Sequence, residues 1–281
     1  LALEIDAELR AEIMYRLGRM MQLAGNYPQA IHEYQTYLAE FDPESIAVPT
    51  QSVGTRKPGA HHHEARYHLA ECQIAIDQHQ FARINLEELL KRLDASPSSD
   101  ENLQNLTRDA RFLLTRTYHF PSPQTDEELE LGAQAARRFT ADFPGDPRSM
   151  SLTYEIAQAY QGYGRSEDAL RAYQDFLAGK GFNTPTGNVA TQLDETGESF
   201  AERHSRLRMS ATFEIGSIRF AQQNYAGAIE SWKGYISAFP NGPQWTDAQQ
   251  RIIDAEFQIG VTYLADEKYE DAVRAFDAFQ T

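Results

Sequence analysis

The chain has 281 residues, with 41 acidic side chains against 26 basic ones, a formal net charge of −15 and one cysteine, Cys72. So acidic a chain repels nucleic acid and anionic lipid, a lone cysteine builds no disulfide framework, and no apolar run is long enough to span a bilayer. Valine is scarce, alternating strand patterns are absent, and Ala, Leu, Glu, Arg and Gln dominate, which makes the chain all-helical.

The first predicted unit covers residues 8–42. Leu17-Gly18 gives an aliphatic anchor and a small neighbour, Gly25-Asn26 marks a turn, and Ala30, Tyr34 and Tyr37 follow at helix-stripe spacing. A long loop, 43–61, is rich in turn residues. The second unit, 62–95, carries Leu69-Ala70, then Ala82, Leu86 and Leu89. The third, 107–145, keeps Leu114-Thr115 and Tyr118 but inserts His119 to Gln124 before its second helix. Its alanine position falls on Gly132, which brings Phe139 and Phe143-Pro144 into register. The fourth, 149–179, repeats the scheme with Ile156-Ala157, Gly164-Arg165, Ala169, Tyr173 and Phe176, and a second long loop, 179–199, follows. The fifth, 205–240, has Ile215-Gly216, Gln223-Asn224, Ala228, Trp232 and Tyr235. The sixth, 250–281, has Ile259-Gly260, Ala272, Phe276 and Phe279.

Each unit therefore predicts a helix–turn–helix hairpin closed through small residues, and a unit that cannot bury its apolar face alone must stack on its neighbours. The pattern resembles the tetratricopeptide repeat (TPR): Leu17-Gly18, Gly25-Asn26-Tyr27, Ala30 and Tyr34 in the first unit, and Ile215-Gly216, Asn224-Tyr225, Ala228 and Trp232 in the fifth. The resemblance covers nearly the whole chain. It implies an all-α, right-handed superhelical solenoid of about six units with two long insertions. The anchors at 17, 69, 114, 156, 215 and 259 give steps of 52, 45, 42, 59 and 44 residues, so every junction is longer than the minimal repeat of about 34 residues. The long steps follow the first and fourth units, and Val48-Pro49-Thr50-Gln51 echoes Val189-Ala190-Thr191-Gln192. A three-plus-three duplication and two unrelated polar loops both fit. Leu1 begins mid-pattern and Thr281 stands two residues after Phe279, which reads as a segment of a longer protein.

An aromatic stands two residues before every anchor: Tyr15, Tyr67, Phe112, Tyr154, Phe213 and Phe257. Two helical steps turn about 200°, so these rings are expected to point away from the partner helix. They then either pack between successive first helices or form a partly exposed ladder along a concave groove. One turn on stand Arg19, Glu71, Arg116, Gln158, Ser217 and Val261. The candidate partner-binding set is thus Tyr15, Arg19, Tyr67, Phe112, Arg116, Tyr154, Gln158, Phe213 and Phe257. Family members that clamp chaperone C-termini carry Lys and Asn at these positions, and that clamp is absent. The aromatic before each anchor, with Phe143-Pro144 and Phe239-Pro240 closing units, is instead similar to TPR proteins of the bacterial envelope, of the outer-membrane assembly lipoprotein and Tol-Pal coordinator type. That style implies an envelope or periplasmic setting, and the long insertions depart from it.

No phosphate loop or nucleophile elbow is present, and no enzyme, catalytic residue or cofactor is expected. At His61-His62-His63-Glu64 the zinc-protease pattern fails, because Tyr67 holds the second histidine position and His68 falls about 100° around the helix. Glu64, His68 and Cys72 recur every four residues at ordinary helix positions, and no metal site is assigned to them. Arg203, Arg206 and Arg208 beside His204 read as a solvated face with partners among Glu198 and Glu202. Two functions remain. One is a protein–protein interaction scaffold that holds a peptide or partner domain, basic or amphipathic, in its groove and by its long loops. The other is a structural arm of a larger multidomain protein.

Overall fold

The computed structural model describes residues 6–42, 59–194 and 196–279. Among them helices dominate: α1 (Ala7–Leu23), α2 (Tyr27–Phe41), α3 (His62–Ala75), α4 (His79–Ala95), α5 (Glu101–Arg116), α6 (Asp126–Asp142), α7 (Pro147–Gly162), α8 (Ser166–Leu177), a single turn α9 (Asn188–Thr191), α10 (Phe200–Ala221), α11 (Tyr225–Ala238), α12 (Trp245–Ala265) and α13 (Tyr269–Phe279). Apart from α9 they form successive pairs, an all-α helical-repeat architecture. The chain divides within α6 into two compact units, 1–135 and 136–281. Most of the first long loop, including Val48-Pro49-Thr50-Gln51, lies outside the described residues.

The repeat pattern has a direct physical cause. A Cβ added at Gly18 would stand 2.7 Å from the Tyr34 ring, one at Gly216 2.6 Å from Trp232, and one at Gly260 2.5 Å from Phe276. In these three pairs the small residue after the anchor is therefore the seat of the large residue 16 positions later, where the two helices approach each other most closely. Gly132 plays the same part for the third pair, with Phe120 and Tyr118 against it. Eight residues past the anchor the backbone takes a left-handed conformation: Gly25 (φ 73°), Asp77 (63°), Gly164 (79°), Gln223 (62°) and Glu267 (59°). Glycine enters this region without penalty and the other three must be held there. Two of these turns end on side-chain caps, and so does the approach to α10. Asn26 accepts from the Gln29 amide, Asn224 from that of Gly227 at 3.0 Å, and Ser199 with Glu202 forms a reciprocal capping box.

Junctions between pairs share a device. The Tyr37 hydroxyl accepts from the His61 amide at 3.1 Å, and the Tyr235 hydroxyl from the Gln244 amide at 3.1 Å. Likewise the Phe41 carbonyl accepts from Gly59 and the Phe239 carbonyl from Gly242. Residue 59 thus returns to the place that the short 239–242 connection reaches directly. Beside it, buried Asp42 (1% exposed) pairs with Arg66 and, at 2.6 Å, with Arg92, tying α2 to α3 and α4.

The described residues of the second long loop pack against the helices. Phe182 is buried against Phe176, the Asn183 amide donates to Pro144, and Leu193 bridges to Ser199. Arg203 pairs with Asp194 and Glu198, and Arg206 with Glu198 at 2.9 Å. Arg203 and Arg206 of the predicted basic cluster are therefore paired with Glu198 and Asp194, while Glu202 is engaged as the cap.

Candidate functional site

Four of the six pre-anchor aromatics have ring contacts with the second helix of their own pair. Tyr15 lies 6.3 Å from Tyr34 and 6.1 Å from Tyr37. Tyr154 lies 5.6 Å from Tyr173 and 5.5 Å from Phe176. Phe213 lies 6.2 Å from Trp232, and Phe257 5.6 Å from Phe276. The same rings also meet the neighbouring first helix: Tyr15 lies 6.3 Å from His68 of α3, and Arg251 of α12 stands 5.5 Å from the Phe213 ring. The rings stand 200° from the aliphatic anchor, but they precede the small residue by three and share its face. That face meets the partner helix, so each ring wraps the residue seated on the small position.

Their exposure differs between the two units. In 1–135, Tyr15, Tyr67 and Phe112 are half-buried, as are Arg19 and Arg116. In 136–281, Tyr154 and Phe213 are 7% and 6% exposed, Phe257 is 45% exposed, and Gln158 is exposed. Burial pushes the Tyr15 hydroxyl up to about 12, and also raises that of Tyr154. Both are neutral hydrogen-bonding tips at physiological pH.

Among residues 1–135 the first helices α1, α3 and α5 lie side by side and carry a linked polar patch. Arg19 donates to Gln22 at 2.8 Å and stands 3.2 Å from His68 Nδ1. The same nitrogen is 2.7 Å from Glu71 Oε2, so His68 either accepts from Arg19 or donates to Glu71. Gln22 donates to Glu71 at 2.9 Å and accepts from the Tyr34 hydroxyl at 2.9 Å. Burial raises the Glu71 carboxyl, but the hydrogen bonds from His68 and Gln22 outweigh it and the net shift is downward. His61 stacks on Tyr15 at 4.2 Å and reaches Glu12 at 2.9 Å. Arg116 lies over the Phe112 ring at 4.8 Å and donates to the Phe120 carbonyl at 2.9 Å. The structure thus joins Tyr15, Arg19 and Glu71 in one patch.

Sequence reading missed Gln22 and weighed His61 only for metal. Gln22 had a signal: Gln161 stands at the same place relative to its anchor. It accepts from Tyr173 at 2.5 Å and donates to Glu214 of α10 at 2.7 Å. Of the residues weighed for metal, Cys72 is fully buried, its thiol pushed up to about 12 by burial, and His68 is engaged by Glu71 and Arg19. No helix among the described residues is long and apolar enough to cross a membrane.

The sequence matches no family model, and no curated protein matches it. Solved structures do resemble it. The apo form of RapI aligns over 98% of this chain and 65% of its own, at 11% identity and a TM-score of 0.52. MamA residues 41-end from Desulfovibrio magneticus RS-1 aligns over 81% and 93%, at 12% identity and 0.46. The Rap conjugation regulator of plasmid pLS20, in complex with the Phr* peptide, aligns over 99% and 66%, at 10% identity and 0.42. At such identities the RapI match shows fold alone, and the fold it shows is the all-α helical repeat described above.

Proposed function

We propose that this chain is a protein–protein interaction scaffold whose contact surface in residues 1–135 is the first-helix face of α1, α3 and α5. The carrying observation is the half-buried row Tyr15, Arg19, Tyr67, Phe112 and Arg116, running beside the Arg19–Gln22–His68–Glu71 patch. It offers apolar ring area with hydrogen-bonding tips and carboxylates, the composition that holds a peptide by a few anchors. In 136–281 exposed Gln158 and Phe257 are the outer candidates, and Tyr154 and Phe213 support from beneath. A chain of formal charge −15 favours a basic or amphipathic segment, and no cofactor or catalytic step enters this reading. The envelope setting implied by the repeat style belongs to the same proposal. The structural-arm reading draws on a different observation, the exposed stripe Ile253, Phe257, Val261 and Leu264 along α12.

Selection of displayed random peptides against the 281-residue chain tests the scaffold. Basic or amphipathic sequences should be enriched, and Tyr67→Ala and Arg19→Glu should each weaken the selected peptides at least about tenfold, or 1.4 kcal/mol, with helicity unchanged. Peptides that bind both variants as well as the parent would remove this face from consideration.

A further inference from the structure

Two hairpin turns in residues 1–135 bring together a cluster that the proposed scaffold surface does not use. Asp77 closes the α3–α4 turn, His79 opens α4, and His119 lies in the α5–α6 turn. Asp77 Oδ1 stands 3.1 Å from His79 Nε2 and 3.8 Å from His119 Nε2. The two imidazoles lie 3.9 Å apart between centroids, and one ligand atom from each of the three residues falls within 4.8 Å of the others. A tetrahedral ion with bonds of about 2.0–2.2 Å spaces its ligands by about 3.3–3.6 Å, and the two measured distances bracket that spacing.

The proton positions also favour a cation. His119 Nδ1 is 3.1 Å from Glu128 Oε1, so the neutral ring keeps its hydrogen on Nδ1 and turns the Nε2 lone pair toward the Asp77 carboxylate. Two acceptors then face each other across 3.8 Å. A carboxylate behind one ring nitrogen is the arrangement that fixes a metal-binding histidine and raises its basicity. Glu128 is itself held, since its Oε2 accepts from the Gln124 amide at 2.9 Å. The charge balance leaves room for a divalent ion. Asp77 and Glu128 are countered by Arg83, 3.9 Å from Glu128, and by the positive end of α4. Arg83 is drawn elsewhere as well, donating to the Thr117 carbonyl at 2.7 Å and lying over Tyr118 at 4.0 Å.

We propose that Asp77, His79 and His119 bind one divalent transition-metal ion, with Glu128 orienting His119. Two imidazoles and one carboxylate suit Zn²⁺ better than Mg²⁺ or Ca²⁺, which take oxygen ligands throughout. Three protein ligands leave a fourth position open, and Asp77 is 86% exposed on its side chain, so that position faces solvent. The ion would staple the α3–α4 turn to the α5–α6 turn.

The test titrates Zn²⁺ into the metal-stripped 281-residue chain against a chromogenic chelator, with Co²⁺ absorption as a second readout of tetrahedral nitrogen–oxygen ligation. One equivalent should bind and raise the melting temperature. His79→Ala and His119→Ala should each abolish that equivalent, and Glu128→Gln should weaken it about 10–100-fold. A His62→Ala/His63→Ala chain controls for the adjacent histidine run and should bind as the parent does. Should His119→Ala fail to fold, Asp77→Asn alters an exposed carboxylate and must still weaken binding. The proposal is overturned if no equivalent binds, if binding disappears only in the His62/His63 variant, or if Asp77→Asn binds Zn²⁺ as tightly as the parent.

Discussion

Two glycines in one hairpin make opposite predictions. Gly216 lies within α10 and Gly234 within α11, both inside 136–281. Alanine gains about 1 kcal/mol over glycine in a helix interior, so propensity alone stabilises both substitutions equally. At Gly234 nothing lies within 4 Å of an added Cβ, and Gly234→Ala should gain roughly 0.5–1 kcal/mol. At Gly216 the Cβ would stand 2.6 Å from Trp232 Cε2 and 2.7 Å from Cδ1. Trp232 is fully buried and its Nε1 donates to the Phe213 carbonyl at 3.2 Å, so it has little room to retreat. Overpacking costs about 1–3 kcal/mol, and pulling the indole from its acceptor leaves a buried donor unpaired at about 1–3 kcal/mol. Less the propensity gain, Gly216→Ala should lose about 3 kcal/mol. At about 2–4 °C per kcal/mol for a unit of this size, its melting transition falls by roughly 6–12 °C while that of Gly234→Ala rises slightly. Thermal melts followed by circular dichroism read both. Equal melting temperatures for the two variants would refute the seat that Gly216 provides for Trp232.

Two further predictions concern charge. Asp42→Ala should cost about 3–5 kcal/mol in urea unfolding, because it leaves Arg66 and Arg92 half-buried beside an empty carboxylate position; a loss below about 1 kcal/mol would mark the triad as solvent-screened. The Asp194 carboxyl, held well below the ordinary carboxylate range first by the Thr196 hydroxyl at 2.6 Å and then by backbone amides and Arg203, should hold Thr196 and Glu198 in place at neutral pH. A lowered folded-state pKa gives stabilisation that is present above the unfolded value of about 4 and lost as pH falls below it. Amide exchange at Thr196 and Glu198 should therefore accelerate, relative to its intrinsic rate, as pH drops below about 4. In Asp194→Asn that protection should already be lost at neutral pH.

What was legible in the sequence was whatever repeats. Anchor, small residue and large residue recur at fixed offsets because a helix pair has one closest approach, and Gly18, Gly216 and Gly260 mark it. Gly25 and Gly164 announced their turns. Asp77 and Glu267 adopt the same left-handed conformation with no sequence signal, since tertiary packing, not residue preference, holds them there. The direction of Tyr15 and its equivalents was legible only in part. Measured from Leu17 they point away from the partner helix, whereas measured from Gly18 they share its face, and Tyr15 contacts both Tyr34 of its own pair and His68 of the next first helix. The Asp77–His79–His119 cluster was illegible for another reason. Forty residues separate His79 from His119, and only the stacking of two turns makes them neighbours.

The Tyr–Gln pairs bear on how the chain was assembled. Gln22 with Tyr34, and Gln161 with Tyr173, occupy identical offsets from Leu17 and Ile156, and each glutamine reaches on to a glutamate of the next first helix, Glu71 or Glu214. At the same two offsets the second, fifth and sixth pairs carry Ile74 and Leu86, Phe220 and Trp232, or Leu264 and Phe276, and the third carries His119 and Leu131, none of which makes that relay. A feature required by the hairpin itself would recur in every pair, as the small residue after the anchor does. One confined to the first and fourth pairs has a period of three, and each of those pairs also precedes a long loop. Two traits with that period are what a block of three hairpins copied once would leave. Were the relay only packing, Gln22→Leu and Gln161→Leu would be neutral. If it sets the register between successive pairs, each should loosen amide protection in the following first helix, α3 or α10, while leaving its own hairpin intact.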